Sequence, residues 1–373
     1  MQTQTTAPSW YRHPDARAWR TDPVGGDVLA FHLGLPGYRR TELVELPALA
    51  GELGVARVFV KDESARLGLP AFKILGASYA ISRALSERLG QGAAALGFAE
   101  LAARGGPTLV AATDGNHGRA VAHVARLLGL GARIFLPATL SRAAVDAVAG
   151  EGATVVELPL PYDDVVDAAA SWAREAGSDA LLVQDTAWPG YERVPAWIVD
   201  GYATLFAEAD AQLASHGVAG VDLVAVPMGV GSLAQACVRH YRSGGSTGPV
   251  VLGVEARNAP AVISSLHAGE PISVPTEPTI MAGLNCGTPS ANAWPYLAAG
   301  MDAAVTVTEA QATSAVHDLT ALGVDAGPCG AAALAGVRAV AQDPPRRAAT
   351  ALTPNAVVLL LSTESTTANP LPT

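Results

Sequence analysis

Lysine is nearly missing from this chain: of its 24 lysine and arginine residues, only Lys61 and Lys73 are lysine. Arginine can neither lose its proton in a protein nor form a Schiff base, whereas a desolvated lysine can do both. A lysine retained at a helix start against that bias points to amine chemistry; chance retention in an arginine-rich chain is the competing reading. Cysteine is equally scarce. Cys237, Cys286 and Cys329 are odd in number, far apart and form no C-x-x-C, which excludes a disulfide framework. The eight histidines include no H-E-x-x-H, and His117 and His123 are six apart, off the same-face spacing of a helix. No metal site is expected, and the histidines read as structural or surface groups. Long apolar runs are absent as well. Half the residues are hydrophobic and the mean hydropathy is +0.26, yet no run approaches the roughly 20 residues that span a bilayer. The opening MQTQTTAPSWYRHPDARAWR has no apolar core of a signal peptide, so a soluble cytoplasmic protein with no membrane partner is the expectation. Positive charge is outnumbered, the formal net charge being −10, which argues against nucleic acid as a partner. A small anion remains open, because backbone amides hold a phosphate without net positive charge.

What is present is alternation. Ala56–Val60 reads as a strand, followed by a helix that begins near Lys73 after Pro70. Thr108–Ala112 is a strand running into a helix over Asn116–Leu128. Arg133–Leu136, Ser141–Gly150, Thr154–Glu157, Tyr162–Ala176 and Leu181–Val183 continue strand, helix, strand, helix, strand. Val221–Val226 leads through a glycine turn to a helix near Leu233; Val250–Glu255 is a strand, and a helix after Gly330 precedes the strand Ala356–Leu361. Strands separated by helices of this length predict an α/β fold with mostly parallel sheets covered by helices. The polar, proline-containing tail Thr366–Thr373 is expected to be disordered.

In such folds the ligand groups gather where strands end and helices begin. Lys73 falls in the first turn of its helix, where the positive end of the macrodipole disfavours an ammonium. Thr113-Asp114-Gly115-Asn116-His117-Gly118 follows a strand; Asn116 offers an amide donor and Asp114 a carboxylate, although D-G-N is also an ordinary turn string. Met228-Gly229-Val230-Gly231-Ser232 supplies successive N–H groups at a helix start, which suits a single phosphate. It is neither a Walker loop nor a dinucleotide fingerprint, and a plain turn is its structural alternative. Gln184-Asp185-Thr186 and the Ser362 end of LLLSTES close two further strands. Each reads as a ligand group or as strand-end capping.

Together, the strings VKDESARLGLPAFKILGASYA (60–80), ATDGNHGRAVA (112–122), VQDTAWPGYERVPAWIVDGYATLF (183–206), GVGSLA (229–234), MAGLNCGTPS (281–290) and LSTE (361–364) resemble the tryptophan-synthase-β-like, fold type II, pyridoxal-phosphate enzymes. Within them they resemble the diaminopropionate ammonia-lyase family. The resemblance implies a two-domain fold with a large cofactor-binding domain (1–84 and 188–373) and a smaller mobile domain (85–187), and a homodimer. It implies pyridoxal 5'-phosphate held as a Schiff base on Lys73, Asn116 bonding the ring oxygen, Gly229, Val230, Gly231 and Ser232 around the phosphate, and Ser362 facing the pyridine nitrogen. Asp114 and Asp185 match the two carboxylates that take the Cα proton, one for each enantiomer of a small amino-acid substrate. The implied reaction is β-elimination of ammonia from 2,3-diaminopropionate, giving pyruvate and a second ammonia. A dehydratase or β-replacement activity on the same cofactor, and a non-catalytic nucleotide-binding protein, are the alternatives. The chain departs from the family pattern at RTEL near Thr41, at Cys329 where serine is usual, and at Ser365-Thr366 after STE.

Overall fold

The computed structural model describes residues 8–92, 95–113, 115–244 and 248–372. Eleven strands are described: β1 (Trp10–Arg12), β2 (Leu43–Glu45), β3 (Arg57–Asp62), β4 (Thr108–Ala112), β5 (Ala132–Pro137), β6 (Thr154–Leu158), β7 (Ala180–Leu182), β8 (Leu223–Pro227), β9 (Val250–Ala256), β10 (Ala303–Val307) and β11 (Val357–Ser362). They form a seven-stranded sheet in the order β1-β10-β9-β8-β11-β3-β2 and a four-stranded sheet in the order β6-β5-β4-β7. Every described pairing is parallel except at the two margins of the larger sheet, where β1 runs antiparallel to β10 and β2 to β3. The α/β class expected from the alternation is thus the observed one.

Two compact units hold these sheets. The larger comprises residues 1–24, 41–65 and 205–373; the other comprises 25–40 and 66–204. The second unit is wider than the 85–187 expected from sequence, and helix packing explains the difference. The helix Lys73–Arg88 lies against the helix Arg193–Gly201 so closely that a Cβ at Gly76 would sit 2.6 Å from Tyr202 Cε1 and 2.7 Å from Ile198 Cγ2. His32 ties the short helix Val28–Leu33 to the same pair, with Nδ1 2.7 Å from Thr204 Oγ1 and Nε2 donating to Leu75 O at 3.0 Å. These helices therefore fold with the four-stranded sheet, whatever their place in the sequence.

In the larger unit the central strands are mostly apolar, with Glu255 on β9 and Thr306 on β10 as exceptions, and β8, β9 and β10 are buried along their whole length. Strands covered on both faces have no polar side to show, which explains the continuous hydrophobic runs. The helix Pro328–Ala341 packs across this sheet, burying Ala331, Leu334, Ala335 and Val337. Lys61, on β3, is wholly buried here. Its Nζ donates to Thr41 O (2.9 Å), Glu208 Oε2 (2.7 Å) and Gln212 Oε1 (2.8 Å). An ammonium has three donors, and these three acceptors use them all. Lys61 is therefore a buried strut whose ammonium is matched by three acceptors.

Residues 366–372 of the tail, expected to be disordered, are instead placed against the larger unit, and Thr373 lies outside the described residues. Thr366 donates from N and Oγ1 to Asp325 Oδ1 (2.9 and 2.6 Å), and Asn369 Nδ2 donates to Ile280 O at 2.8 Å. Leu371 packs on the core of the larger unit. Polar composition misled here because the partners of these side chains lie far away in sequence.

Candidate active site

Lys73 is the first residue of its helix, as its place after Pro70 foretold. Phe72, at the cap, packs against Tyr202 in a tilted ring pair with centroids 4.8 Å apart, next to the lysine. Nζ donates to Asp185 Oδ2 at 2.5 Å; the lysine side chain is 21% exposed and the aspartate 7%. Two residues 112 positions apart are thus brought together, as a site requires.

Asp185 is aimed by the strand end before it. Val183 N donates to Val110 O (2.7 Å), prolonging the pairing of β7 with β4. The Gln184 side chain then accepts from Ala112 N (3.0 Å) and donates to the Tyr162 hydroxyl (3.0 Å), while its own N donates to the Tyr191 hydroxyl (2.9 Å). With Gln184 held at three points, Asp185 has little freedom. Burial pushes its pKa up, but the facing His117 ring and the Lys73 ammonium outweigh burial and hold the carboxyl at about 2.

His117 was set aside in the sequence and belongs to this cluster. It is 3% exposed; Nε2 donates to Val183 O at 2.7 Å, and Nδ1 lies 3.8 Å from Asp185 Oδ2. Burial pushes its pKa down, so the ring is neutral at pH 7 and Nδ1 carries the lone pair. At pH 7 the cation beside Asp185 is therefore Lys73, and the ring adds its charge to the pair only when it is protonated at lower pH. Nδ1 has no hydrogen-bond partner among the described residues. The available signal was position alone, one residue after Asn116 at a helix start. Asn116 opens its helix as expected, capped by Gly115. Asp114 lies outside the described residues.

In the larger unit, β8 ends at Pro227 and the turn Met228–Gly231 leads into the helix Ser232–Arg242. Gly231 caps that helix at φ +95°, a conformation few side chains tolerate, and a Cβ there would stand 2.6 Å from Leu297 Cδ1. A Cβ on Gly229 would stand 2.8 Å from Gly283 O and 3.0 Å from Cys286 Sγ. The backbone of this turn is therefore bare by necessity, with amides at the start of an eleven-residue helix. Such a turn suits a phosphate.

Ser362 closes β11. It is 1% exposed, and its Oγ has no hydrogen-bond partner among the described residues. A Cβ at Gly330 would come within 2.8 Å of that Oγ. A buried hydroxyl without a partner costs about 1–3 kcal/mol, which a ligand nitrogen would recover. Two residues on, Glu364 does not share this role. Its Oε1 accepts from Cys329 N (3.1 Å), capping the helix Pro328–Ala341.

Residues 35–363 match the family model described as pyridoxal-phosphate dependent enzyme. The chain is 39% identical over 287 residues to the diaminopropionate ammonia-lyase of Salmonella typhimurium, covering 74% of this chain and 70% of that protein. It is 36% identical over 361 residues to the diaminopropionate ammonia-lyase of Escherichia coli, covering 90% and 87%. A crystal structure of the Escherichia coli lyase, in complex with an aminoacrylate-PLP azomethine reaction intermediate, matches the fold with a TM-score of 0.86 at 32% identity, over 97% of this chain and 96% of that one.

Proposed function

Because this chain belongs to the pyridoxal-phosphate-dependent enzyme family, we propose that it is an ammonia-lyase that removes the β-amino group of 2,3-diaminopropionate, yielding pyruvate and ammonia. The observation that carries the reading is the Lys73–Asp185 contact at 2.5 Å: an amine able to form a Schiff base beside a carboxylate able to take a proton. The relatives and the solved structure that match nearly the whole chain bear the same activity in their names.

The residues present fit the cofactor. Lys73 would attach it, the turn Gly229, Val230, Gly231 and Ser232 would hold its phosphate, Asn116 would bond the ring oxygen, and Ser362 would donate its hydroxyl to the pyridine nitrogen. Pyridoxal phosphate, when bound, supplies the electron sink that acidifies the substrate Cα. The protein's part is placement and proton transfer. Asp185, ionised and fixed through Gln184, takes the Cα proton as general base from one face. Asp114 is assigned the same task for the opposite face, so that both enantiomers react. Neutral His117 leaves the charge of this cluster to Lys73 and Asp185. A serine hydroxyl at position 362 brings no negative charge, so it does not hold a proton on the pyridine nitrogen as a carboxylate would.

We read the chain further as a cytoplasmic enzyme acting on a small amino acid and, by family resemblance, as a homodimer. No helix among the described residues is long and apolar enough to cross a membrane. The deciding experiment is a panel of β-substituted amino acids, both enantiomers of diaminopropionate with serine, threonine and O-acetylserine, scored for keto acid and ammonia. The reading requires two ammonia per pyruvate from diaminopropionate, at a kcat/KM well above that for serine or threonine. A preference for a hydroxyamino acid would replace it with a dehydratase.

A further inference from the structure

The segment after β11 does more than end the chain. Asn369 Nδ2 donates both to Ile280 O (2.8 Å) and to Glu364 Oε1 (3.1 Å). Each acceptor leads to one end of the cofactor assignment made above. Ile280 begins the turn whose Gly283 O and Cys286 Sγ close on Gly229, at 2.8 and 3.0 Å from where a Cβ would be. Glu364 Oε1 accepts from Cys329 N (3.1 Å), at the start of the helix whose Gly330 abuts Ser362 Oγ. One amide therefore joins the segment behind the phosphate turn to the segment beside the pyridine-facing serine. All these residues belong to the larger unit.

The surroundings hold Asn369 in place for this. Ser365 O accepts from Ala368 N (3.2 Å) and Asn369 N (3.3 Å), and Ser365 Oγ accepts from Thr367 N (3.1 Å), so residues 365–369 form a compact turn. Thr366 anchors the outer side of that turn to Asp325. Ser365 itself touches the Pro328 helix cap, since a Cβ at Gly327 would lie 2.5 Å from its carbonyl oxygen. The family match ends at residue 363, so this turn lies beyond it.

We propose that Asn369 is a positioning residue for the cofactor, setting the spacing between the Gly229–Ser232 turn and Ser362 through Ile280 and Glu364. The inference rests on the pyridoxal-phosphate reading of those residues. It separates this role from plain tail packing, which falls to Leu371 on the core. Replacing Asn369 by alanine removes both bonds. Replacement by aspartate keeps the shape but sets a carboxylate oxygen against the Ile280 carbonyl and the Glu364 carboxyl.

The test uses the full chain stripped of cofactor, as wild type, Asn369→Ala, Asn369→Asp and Leu371→Ala. Each is titrated with pyridoxal phosphate by fluorescence, the absorbance band of the bound form is recorded, and the Tm of each apo form is measured. Asn369→Ala is expected to raise the cofactor Kd about tenfold, because the two hydrogen bonds that hold the spacing are lost. Asn369→Asp should raise it further, and both should shift the absorbance band and lower the apo Tm, since the bonds they remove are made without cofactor. Leu371→Ala should lower the apo Tm and leave the Kd unchanged. Wild-type Kd in both Asn369 variants overturns the proposal, as does an equal loss of affinity in Leu371→Ala. Wild-type protein that binds no pyridoxal phosphate would overturn the cofactor reading itself and the positioning role with it.

Discussion

Lys73 Nζ and Asp185 Oδ2 stand 2.5 Å apart, one at the first residue of a helix and the other just past the end of β7. The pair has a consequence for acid stability. The Asp185 carboxyl titrates at about 2 rather than at its ordinary 3.8, so its contribution is complete above pH 4 and is lost as pH falls towards 2. The magnitude is about 2 kcal/mol. Apo Asp185→Asn should be less stable than wild type at pH 7 by that order, and the two should converge in chemical denaturation below pH 3.

The same carboxylate is assigned a direction of attack. A base placed about 3 Å from a proton on one face of a planar adduct cannot reach the other face. Asp185→Asn should retain cofactor attachment and cut elimination strongly for one enantiomer of diaminopropionate, with Asp114→Asn cutting it for the other. Initial rates on each enantiomer check this. Parallel losses on both from either variant would remove the two-base assignment.

The two lysines should part company when each becomes arginine. Lys73→Arg is expected to abolish the visible Schiff-base absorbance and the borohydride-stable adduct, since a guanidinium cannot exchange imines. Lys61→Arg should keep the chromophore but lose about 2–4 kcal/mol of stability. A wider, planar cation must enter a site whose three acceptors already match an ammonium. Spectra and urea unfolding of the two variants give the answer side by side.

Valine at either glycine of the phosphate turn should weaken cofactor binding more than it slows saturated turnover. Gly231→Val carries an added penalty of about 1–3 kcal/mol for its φ of +95°. Gly229→Val, without that strain, must displace Gly283 O. Equilibrium dialysis against pyridoxal phosphate, together with the Tm of each apo form, separates the two effects.

Much of this was legible in the residues because it is local. Thr108–Ala112, Asn116–Leu128 and Tyr162–Ala176 fall where the pattern put them, for each is a periodic apolar segment bounded by its own turn or cap. The three-residue strands β1 and β2 and the strand β10 were not read. The first two are too short to show a period and are defined by their partners. Within the candidate site, Lys73 and Asp185 announced themselves by residue type at an element boundary. His117 did not, since only the fold sets its Nδ1 beside a carboxylate. Glu364 was ambiguous for a related reason: its spacing suits the face of Ser362, and only the fold shows its Oε1 accepting from Cys329 N. Asn369 lay in a stretch whose composition read as loose, and its partners Ile280 and Glu364 are joined to it only in three dimensions.

The margins of the seven-stranded sheet are three-residue antiparallel strands ending in Arg12 and Glu45, the latter held by Arg57. Short, charged edges give another chain almost no hydrogen-bonding template to extend. The four-stranded sheet is protected differently at its β6 margin, Thr154–Leu158, where five residues are available and Glu157 is the lone charge. In a chain that is half hydrophobic, association through a strand edge during refolding is then favoured at the four-stranded sheet, whose margins are β6 and the uncharged three-residue β7, over the larger sheet.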